Sequence, residues 1–493
     1  MTALDSQLGD PPARVRPRWR LLVRMLLGCV VVIAATAATV ATGTLLEVKT
    51  FTDALKQSPQ LKLGNELAHA DAGGAQTILL IGSDKRAKTA VDASTPAHSD
   101  TMLLVRLDPS EPETTMLSIP RDLKVTLHPD RGSATVQKIN AAYTLGGVKL
   151  TIKTIRQVLG VQINHVVDVN FAGFKALVNY LGCIYVQVDR RYYHSNVGLA
   201  AGDTYDEINI QPGYQKLCGD DALHYVRYRH ADTDIVRAAR QQDFLRQIKE
   251  QVGSSGLVAR LHPLERLLGK YATTDIRSSD DVLKLIELLV QSASHPVKQI
   301  QFQASLGPSY VTSSAAQIHS TVSAFLHGGA GTDQIKVNNG PGSTPGHKSS
   351  SRSNVPLSTA SSNEIAQQHG LAATVPFKVY YPVRRVQTAS AGLDTTRFYK
   401  LNGYPAYVVV VSEGGLGQNY DLQGTTWGSP PILRNPDQTI RQNGRTLQLH
   451  FEGQRLQLVS WRDGRGVYWL SNTLSNVLSN RQMLAIASSA NRS

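Results

Sequence analysis

Apolar residues in this chain fall into short runs that alternate with stretches of helical period. Thr77 to Ile81 is an apolar run stopped by Gly82. It predicts a first core strand that delivers Ser83, Asp84, Lys85 and Arg86 to its C-terminal end. Strands are predicted again at Thr101 to Leu107, after His98-Ser99-Asp100, and at Thr114 to Ile119, ahead of Pro120-Arg121-Asp122. Asp84, Asp100, and Arg121 with Asp122 are thus handed to loops by three strands, and strand-end loops are where α/β folds place chemistry.

Lys138 to Tyr143 then leads through Gly146-Gly147 into an amphipathic helix that turns Leu150, Ile152, Ile155 and Leu159 inward. A strand (His165 to Val169), a helix (Phe171 to Tyr180) and a strand (Ile184 to Val188) follow, and residues 190–216 read as a long loop over the site. Helices are predicted at Ala222 to Arg227, Ile235 to Val252, Val282 to Val290 and Ala315 to Leu326, with a strand at Gln299 to Gln303. This alternation predicts one α/β domain over residues 75–330. Residues 331–372 are rich in Gly, Ser, Asn and Pro with no hydrophobic period, and read as a disordered linker. A smaller, mainly β C-terminal α+β domain is expected over 373–493. Its strands are Tyr407 to Val411, Thr446 to Phe451, Leu456 to Trp461 and Val467 to Leu470; Glu452-Gly453 is a hairpin turn and Asn476 to Ile486 a last helix.

Composition changes this picture little. The 493 residues are 41% hydrophobic and 18% charged, as in globular proteins. The net charge of +13 predicts an anionic partner, which nucleic acid, anionic lipid and wall phosphate all satisfy. The N-terminus narrows the choice. Residues 1–24 form a basic segment with Arg14, Arg16, Arg18, Arg20 and Arg24, and Met25 to Leu46 then runs for 22 residues without a charge. That length crosses a bilayer as one helix, and the arginines before it place the N-terminus in the cytoplasm and everything after Glu47 outside. A cleaved signal peptide is the rival reading; the apolar run is longer than a usual signal core. Residues 47–74 read as a polar stalk. An extracytoplasmic bulk, with no zinc-finger or RNP-type motif, argues against nucleic acid. Of three cysteines, Cys29 lies in the span, while Cys183 and Cys218 lie outside, where disulfides persist. The two form either a bridge or a pair of buried thiols, and no Cys/His spacing suggests zinc.

The densest chemistry runs from His224 to Gln242, with Arg227, Arg229, Arg237 and Arg240 among apolar residues and Arg246 just beyond. Arg237 and Gln241 are four apart and share one helix face; Arg227 and Arg229 are two apart and share one face of an extended segment. Guanidinium forks so spaced suit the oxygens of a phosphate or pyrophosphate. The bland alternative is a solvated charged helix. Taken singly, Asp84 and Asp100 are ordinary turn aspartates; their joint placement beside the arginines favours a site. For Arg121 the bland alternative is an ion pair with Asp122, which the divergence of adjacent strand side chains disfavours. Lys138 and Asn140 serve either the site or the loop before the helix, and Tyr143 reads as packing.

The ordered set Gly82-Ser-Asp84, Ser99-Asp100-Thr101, Ser118-Ile-Pro-Arg121-Asp122, Lys138-Ile-Asn140-Ala-Ala-Tyr143, Tyr228-Arg229 and Asp234-x-x-Arg237-x-x-Arg240-Gln241-Gln242 resembles the LytR–CpsA–Psr family. The C-terminal domain, with Gly424-Thr-Thr-Trp427, resembles the extension of actinobacterial members. The resemblance implies a mixed sheet flanked by helices behind one N-terminal membrane helix, with a groove for a lipid. It implies a membrane-anchored, wall-facing phosphotransferase that moves a glycopolymer from a polyprenyl pyrophosphate carrier to peptidoglycan as a phosphodiester. By the same resemblance Asp84 and Asp100 are magnesium ligands, and Arg121, Arg227, Arg229, Arg237 and Arg240 are the catalytic arginines. Arg86, His98, Lys138, Asn140 and Gln241 are the substrate contacts. Where the family usually carries an arginine this chain has His98, shorter and near-neutral at pH 7. Either Lys85, Arg86 or Lys88 compensates, or pyrophosphate binding is weaker. Two other classes stand beside the transferase: a non-enzymatic module that binds lipid carrier or wall polymer, and a hydrolase that gives the same pyrophosphate bond to water.

Overall fold

The structure is a computed structural model. It describes residues 73–85, 97–200, 205–228, 234–258, 270–292, 295–328, 356–362, 374–387, 396–413 and 418–492, with a few positions between 53 and 71 and at 364–365 and 389. The apolar span at 25–46, the basic segment before it, Arg86, Arg229 and most of the 331–372 linker lie outside the described residues. Among the described residues no helix is long and apolar enough to cross a membrane.

A six-stranded mixed sheet forms the first domain. Its strands are β1 (Gln76–Ser83), β2 (Ser99–Leu107) and β3 (Thr114–Ser118), then, after the hairpin β4 (Lys124–Leu127) and β5 (Thr135–Lys138) and the helix α1 (Ala141–Leu159), β6 (His165–Asn170). Next come α2 (Phe171–Tyr180), β7 (Ile184–Val188), β8 (Tyr192–His194), β9 (Ile208–Ile210), β10 (Gly213–Leu217), α3 (Gly219–Arg227) and α4 (Asp234–Val258). The domain closes with β11 (Ala272–Thr274), α5 (Ser279–Gln291), β12 (Val297–Ile300) and α6 (Ala315–His327). The sheet order is β11-β6-β1-β2-β3-β12, with β1/β6 and β3/β12 parallel and the other pairs antiparallel. β1 is apolar nearly throughout because both of its faces are covered. Leu79 and Ile81 pack with α1 and α6 on one face, while Ile78 and Leu80 pack with Leu285 and Leu288 of α5 on the other.

Several expectations shift. The first helix begins at Ala141, not after Gly146-Gly147; the two glycines kink it, Gly147 with φ 62° and ψ −155°. The 190–216 stretch is not a loop throughout, since it contains β8 and β9, which pair with each other, and β10, which pairs with β7. The strand expected at Gln299 to Gln303 sits earlier, at Val297–Ile300, and the β4/β5 hairpin was not legible at all. Cys183 and Cys218 form a disulfide (S–S 1.97 Å, Cα–Cα 4.5 Å). It ties the turn after α2 to the residue that caps α3.

The second domain is a seven-stranded antiparallel sheet. It comprises β13 (Thr396–Leu401), β14 (Tyr404–Ser412), β15 (Asn419–Thr425), β16 (Gln438–Gln442), β17 (Arg445–Glu452), β18 (Arg455–Asp463) and β19 (Gly466–Ser471), in the order β13-β14-β15-β19-β18-β17-β16. The helix α7 (Asn480–Ser489) begins at a Ser479/Gln482 capping box, four residues later than the expected Asn476. Its Met483 and Ile486 pack with Trp461 and Tyr468 on one face of the sheet. Leu357–Thr359, placed by composition in the linker, instead pairs with Arg384–Val386 of this domain. The other face of the sheet lies against the first domain through Tyr214, Leu401, Leu458 and Trp469.

Candidate functional site

β1, β2 and β3 deliver their polar residues to one end of the sheet. The β1/β2 register shifts between Gly82, opposite Thr101, and Ser83, opposite Ser99, so Asp100 is an extra residue in a bulge. A bulge re-aims the side chain it carries. Asp84 follows β1 directly, and its Oδ1 accepts a 2.5 Å hydrogen bond from the His98 main-chain N–H. β3 ends at Ser118, and Arg121 swings back over the bulge to donate from Nη1 to Asp100 Oδ1 at 2.6 Å. Arg227, the last residue of α3, donates from Nη2 to Asp100 Oδ2 at 3.2 Å. One carboxylate therefore holds two guanidinium groups that are 106 residues apart in the chain (227 − 121). The Phe171 ring lies 3.9 Å from the Arg227 guanidinium and supports its flat face. The Nε groups of Arg121 and Arg227 are buried and make no hydrogen bond among the described residues. The Arg227 side chain stays 38% exposed and that of Arg121 16%, so the pair presents guanidinium groups to an incoming anion.

The other residues singled out from sequence fall into two sets. His98 stands beside the carboxylate of Asp84, with Nδ1 3.7 Å from Oδ2 and half of its side chain exposed. Lys138 pairs with Asp122 at 2.8 Å, and Asn140 donates its main-chain N–H to the Arg121 carbonyl at 3.2 Å. Both therefore brace the Arg121 loop. The Arg121–Asp122 contact is long, 3.9 Å from Nε, as expected for side chains that diverge.

Arg240 and Gln241 differ from the expectation that they meet substrate. Arg240 is fully buried, donates to the carbonyls of Tyr225 (2.7 Å) and Tyr228 (3.1 Å), and lies over the Tyr192 ring. Gln241 donates to the Val226 carbonyl at 3.1 Å. The last carbonyls of a helix have no partner within it; here α4 supplies donors to the end of α3 and so fixes where Arg227 points. Arg237 is buried one turn earlier on α4.

One buried polar pair near the strand ends was not legible in the sequence. Tyr143 donates to Asp168 Oδ2 at 2.6 Å, and Asp168 lies in β6 opposite Ile81 of β1. Burial raises the Asp168 carboxyl above the usual carboxylate range despite the Tyr143 hydrogen bond, and burial next to Asp168 raises the Tyr143 hydroxyl. The cue was a lone acid in an apolar strand, which one sequence cannot separate from an exposed edge position.

Two carboxylates, Asp84 and Asp100, stand at adjacent strand ends, and among the described residues no cluster of three or more acidic, histidine or cysteine side chains gathers. That donor set fits magnesium, which typically takes one or two carboxylates and fills its shell with water and substrate phosphate oxygens.

Against known proteins, the profile of the LytR_cpsA_psr family matches residues 38–325. The chain is 32% identical over 206 residues to the polyisoprenyl-teichoic acid–peptidoglycan teichoic acid transferase TagT of Bacillus subtilis (strain 168), covering 42% of this chain and 62% of TagT. It is 32% identical over 229 residues to the protein of the corresponding name, TagU, of Enterococcus faecalis, covering 46% of this chain and 69% of TagU. The match to a second Bacillus subtilis relative, TagV, covers 46% of that protein, so the chain spans about half to two thirds of the curated relatives' length. The crystal structure of Bacillus subtilis TagV matches with a TM-score of 0.41 and 28% identity, covering 51% of this chain and 96% of that one.

Proposed function

This chain belongs to the LytR–CpsA–Psr family, and from that premise we propose that it is a phosphotransferase that moves a glycopolymer from a polyprenyl pyrophosphate carrier to peptidoglycan. The observation that carries the proposal is the Asp100 bridge between Arg121 and Arg227, which holds two partly exposed guanidinium groups side by side. The names of TagT and TagU describe transfer from a polyisoprenyl carrier to peptidoglycan, and the chemistry proposed here is of that class.

In the proposed reaction an acceptor hydroxyl oxygen bonds to the glycan-side phosphorus. The bridging P–O bond breaks with its electron pair on polyprenyl phosphate, and the hydroxyl proton leaves to a base. Phosphoryl transfer is carried mainly by positioning and charge. Arg121 and Arg227 would bind the diphosphate and take up charge on the leaving phosphate; Arg237 and Arg229 are assigned to the same set from the family motif. Asp84 and Asp100 would hold magnesium, which supplies further charge neutralisation when bound. Asp122 is committed to Lys138 and acts as an organiser of the Arg121 loop rather than as the base.

Apolar side chains of the sheet and helices, among them Leu107, Met116, Leu181 and Leu289, line a cavity on the α5 side of the sheet suited to an isoprenoid chain. The span at residues 25–46 would anchor the protein with this domain outside the membrane.

The test uses the full chain in vesicles with a polyprenyl-pyrophosphate glycan, a peptidoglycan oligomer and magnesium. Mass spectrometry should find a phosphodiester-linked glycan on the oligomer with wild type and not with Arg121→Ala. Release of polyprenyl phosphate without that product would replace transfer by hydrolysis.

A further inference from the structure

The cavity just described has a volume of about 860 Å³, and it is not built by the first domain alone. Its apolar walls come from the sheet and from α2, α4 and α5, through Val105, Met116, Leu181, Ile248 and Leu289. Its far wall comes from the second domain: Ile432, Phe451 and Leu474, with His450 and Glu452 beside them. Charged side chains line the same end of the cavity: Asp243, Arg246, Glu250 and Glu452. Arg246 of α4 pairs with Asp243 and donates to Glu250 Oε1 at 2.7 Å. Glu452 of β17 lines the same cavity and accepts from Asn476 Nδ2 at 2.6 Å. Gln301 of the first domain donates to the Ser475 carbonyl of the second at 3.1 Å and fixes this wall in place.

Four elements run from the arginine end of the sheet to the cavity. β2 carries Asp100 near its start and reaches the cavity at Val105 and Leu107, and β3, which precedes Arg121, contributes Thr114 and Met116. α2 starts at Phe171, under Arg227, and arrives at Leu177 and Leu181; α4 carries Arg237 and arrives at Leu245, Ile248 and Val252. Seven residue steps lead from Asp100 to Leu107, about 23 Å at strand rise. A carrier whose diphosphate sits on the arginines therefore directs its hydrocarbon tail toward the second domain.

We propose that the second domain is the end wall of the carrier site: Phe451, Leu474 and Ile432 close it, the polar-paired Arg246 and Glu452 line the same end, and together they set the longest polyprenyl chain the protein accepts. This rests on the transferase reading for the identity of the ligand. The physical reason for a limit is that hydrocarbon pressed past the wall would have to displace charged groups from their polar partners, which is costly in a buried setting.

The experiment uses the full chain and a series of polyprenyl-diphosphate glycans that differ by single isoprene units. It reads kcat/KM for transfer and, by native mass spectrometry, the carriers retained without acceptor. Wild type should improve with length and then fall at least tenfold past a limit. Phe451→Ala should move that limit to longer chains and Leu474→Trp to shorter ones, with the shortest carriers bound and turned over as in wild type. The two variants act in opposite directions, so loss of folding cannot imitate the pattern. A wild-type profile without a limit, a limit that neither variant moves, or equal loss at every length in both variants would overturn the end wall. If no carrier is turned over but the retained lengths shift as described, the end wall stands and the transferase reading falls.

Discussion

Asp100 and Arg240 show how two charged residues from one family motif set come to do different work. Asp100 sits in a bulge and orders two guanidinium groups. Asp100→Asn keeps the shape and removes the charge, so transfer should fall about 10²- to 10³-fold, the cost of one misplaced electrostatic contact, with little change in Tm. Arg240→Ala should do the reverse. It leaves two carbonyls unsatisfied and a void behind, destabilising by about 3 kcal/mol or more, which calorimetry reads, and activity should recover in step with the folded fraction. His98 is half-exposed beside Asp84, so His98→Arg should keep or raise turnover; a large loss would show that the imidazole has a role of its own. Motif order brought out Asp84, Asp100, Arg121 and Arg227 because each stands at or just beyond the end of a strand or closes a helix. It did not separate Arg237 from Arg240: a sequence shows that a guanidinium sits on a helix, not whether a ligand or a neighbouring helix end meets it.

At the level of elements, long periodic segments were legible and short ones were not. α5, at Ser279–Gln291, follows directly from its apolar period. β8 and β9 have three residues each, too few for a period of two to stand out. β15 was missed for another reason. Its sequence alternates polar Asn419, Asp421, Gln423 and Thr425 with Tyr420 and Leu422, and every residue is buried, because the polar face meets the first domain rather than water. α1 carries a glycine kink that puts Asn140 and Tyr143 on a separate first turn. Gly147→Ala would force an L-residue into φ 62°, ψ −155°. It should cost about 1–3 kcal/mol, seen as a lower denaturation midpoint. The Cys183–Cys218 bridge closes a 35-residue separation and holds α3 to α2. Replacing both cysteines by serine should cost about 3–4 kcal/mol on loop-closure grounds, and a reductant should destabilise wild type by the same amount and leave the double variant unchanged.

The whole molecule is organised by the joint between its two domains. Gln187 donates to Asp421 at 3.0 Å, and Gln423 accepts from the Tyr214 main-chain N–H at 2.9 Å, so side chains of β15 satisfy an edge of the β7/β10 ribbon. Within the described residues one face of the second domain's sheet covers the first domain. Burial pushes the Asp421 carboxyl up to about 8, against the hydrogen bonds from Gln423 and Gln187. Between about pH 4 and that value the folded protein keeps a proton that the unfolded chain releases, so the folded state binds more protons and stability falls as pH rises through this window. Asp421→Asn cannot titrate and should flatten this part of the Tm profile, gaining on wild type toward pH 8; parallel profiles would show that Asp421 is ionised in the fold. The wall-facing orientation rests on the basic segment and apolar span before residue 47, and protease accessibility of the full chain in sealed vesicles reads it directly.

Transfer, as opposed to release, is decided by where the oxygen on the glycan phosphate comes from. The decisive measurement runs the full chain with carrier-linked glycan and peptidoglycan oligomer in water enriched in heavy oxygen, and weighs the phosphate-containing products. Direct transfer predicts a glycan–peptidoglycan phosphodiester with no heavy oxygen. A free glycan phosphate or polyprenyl phosphate that carries one heavy oxygen, without the linked product, would contradict it.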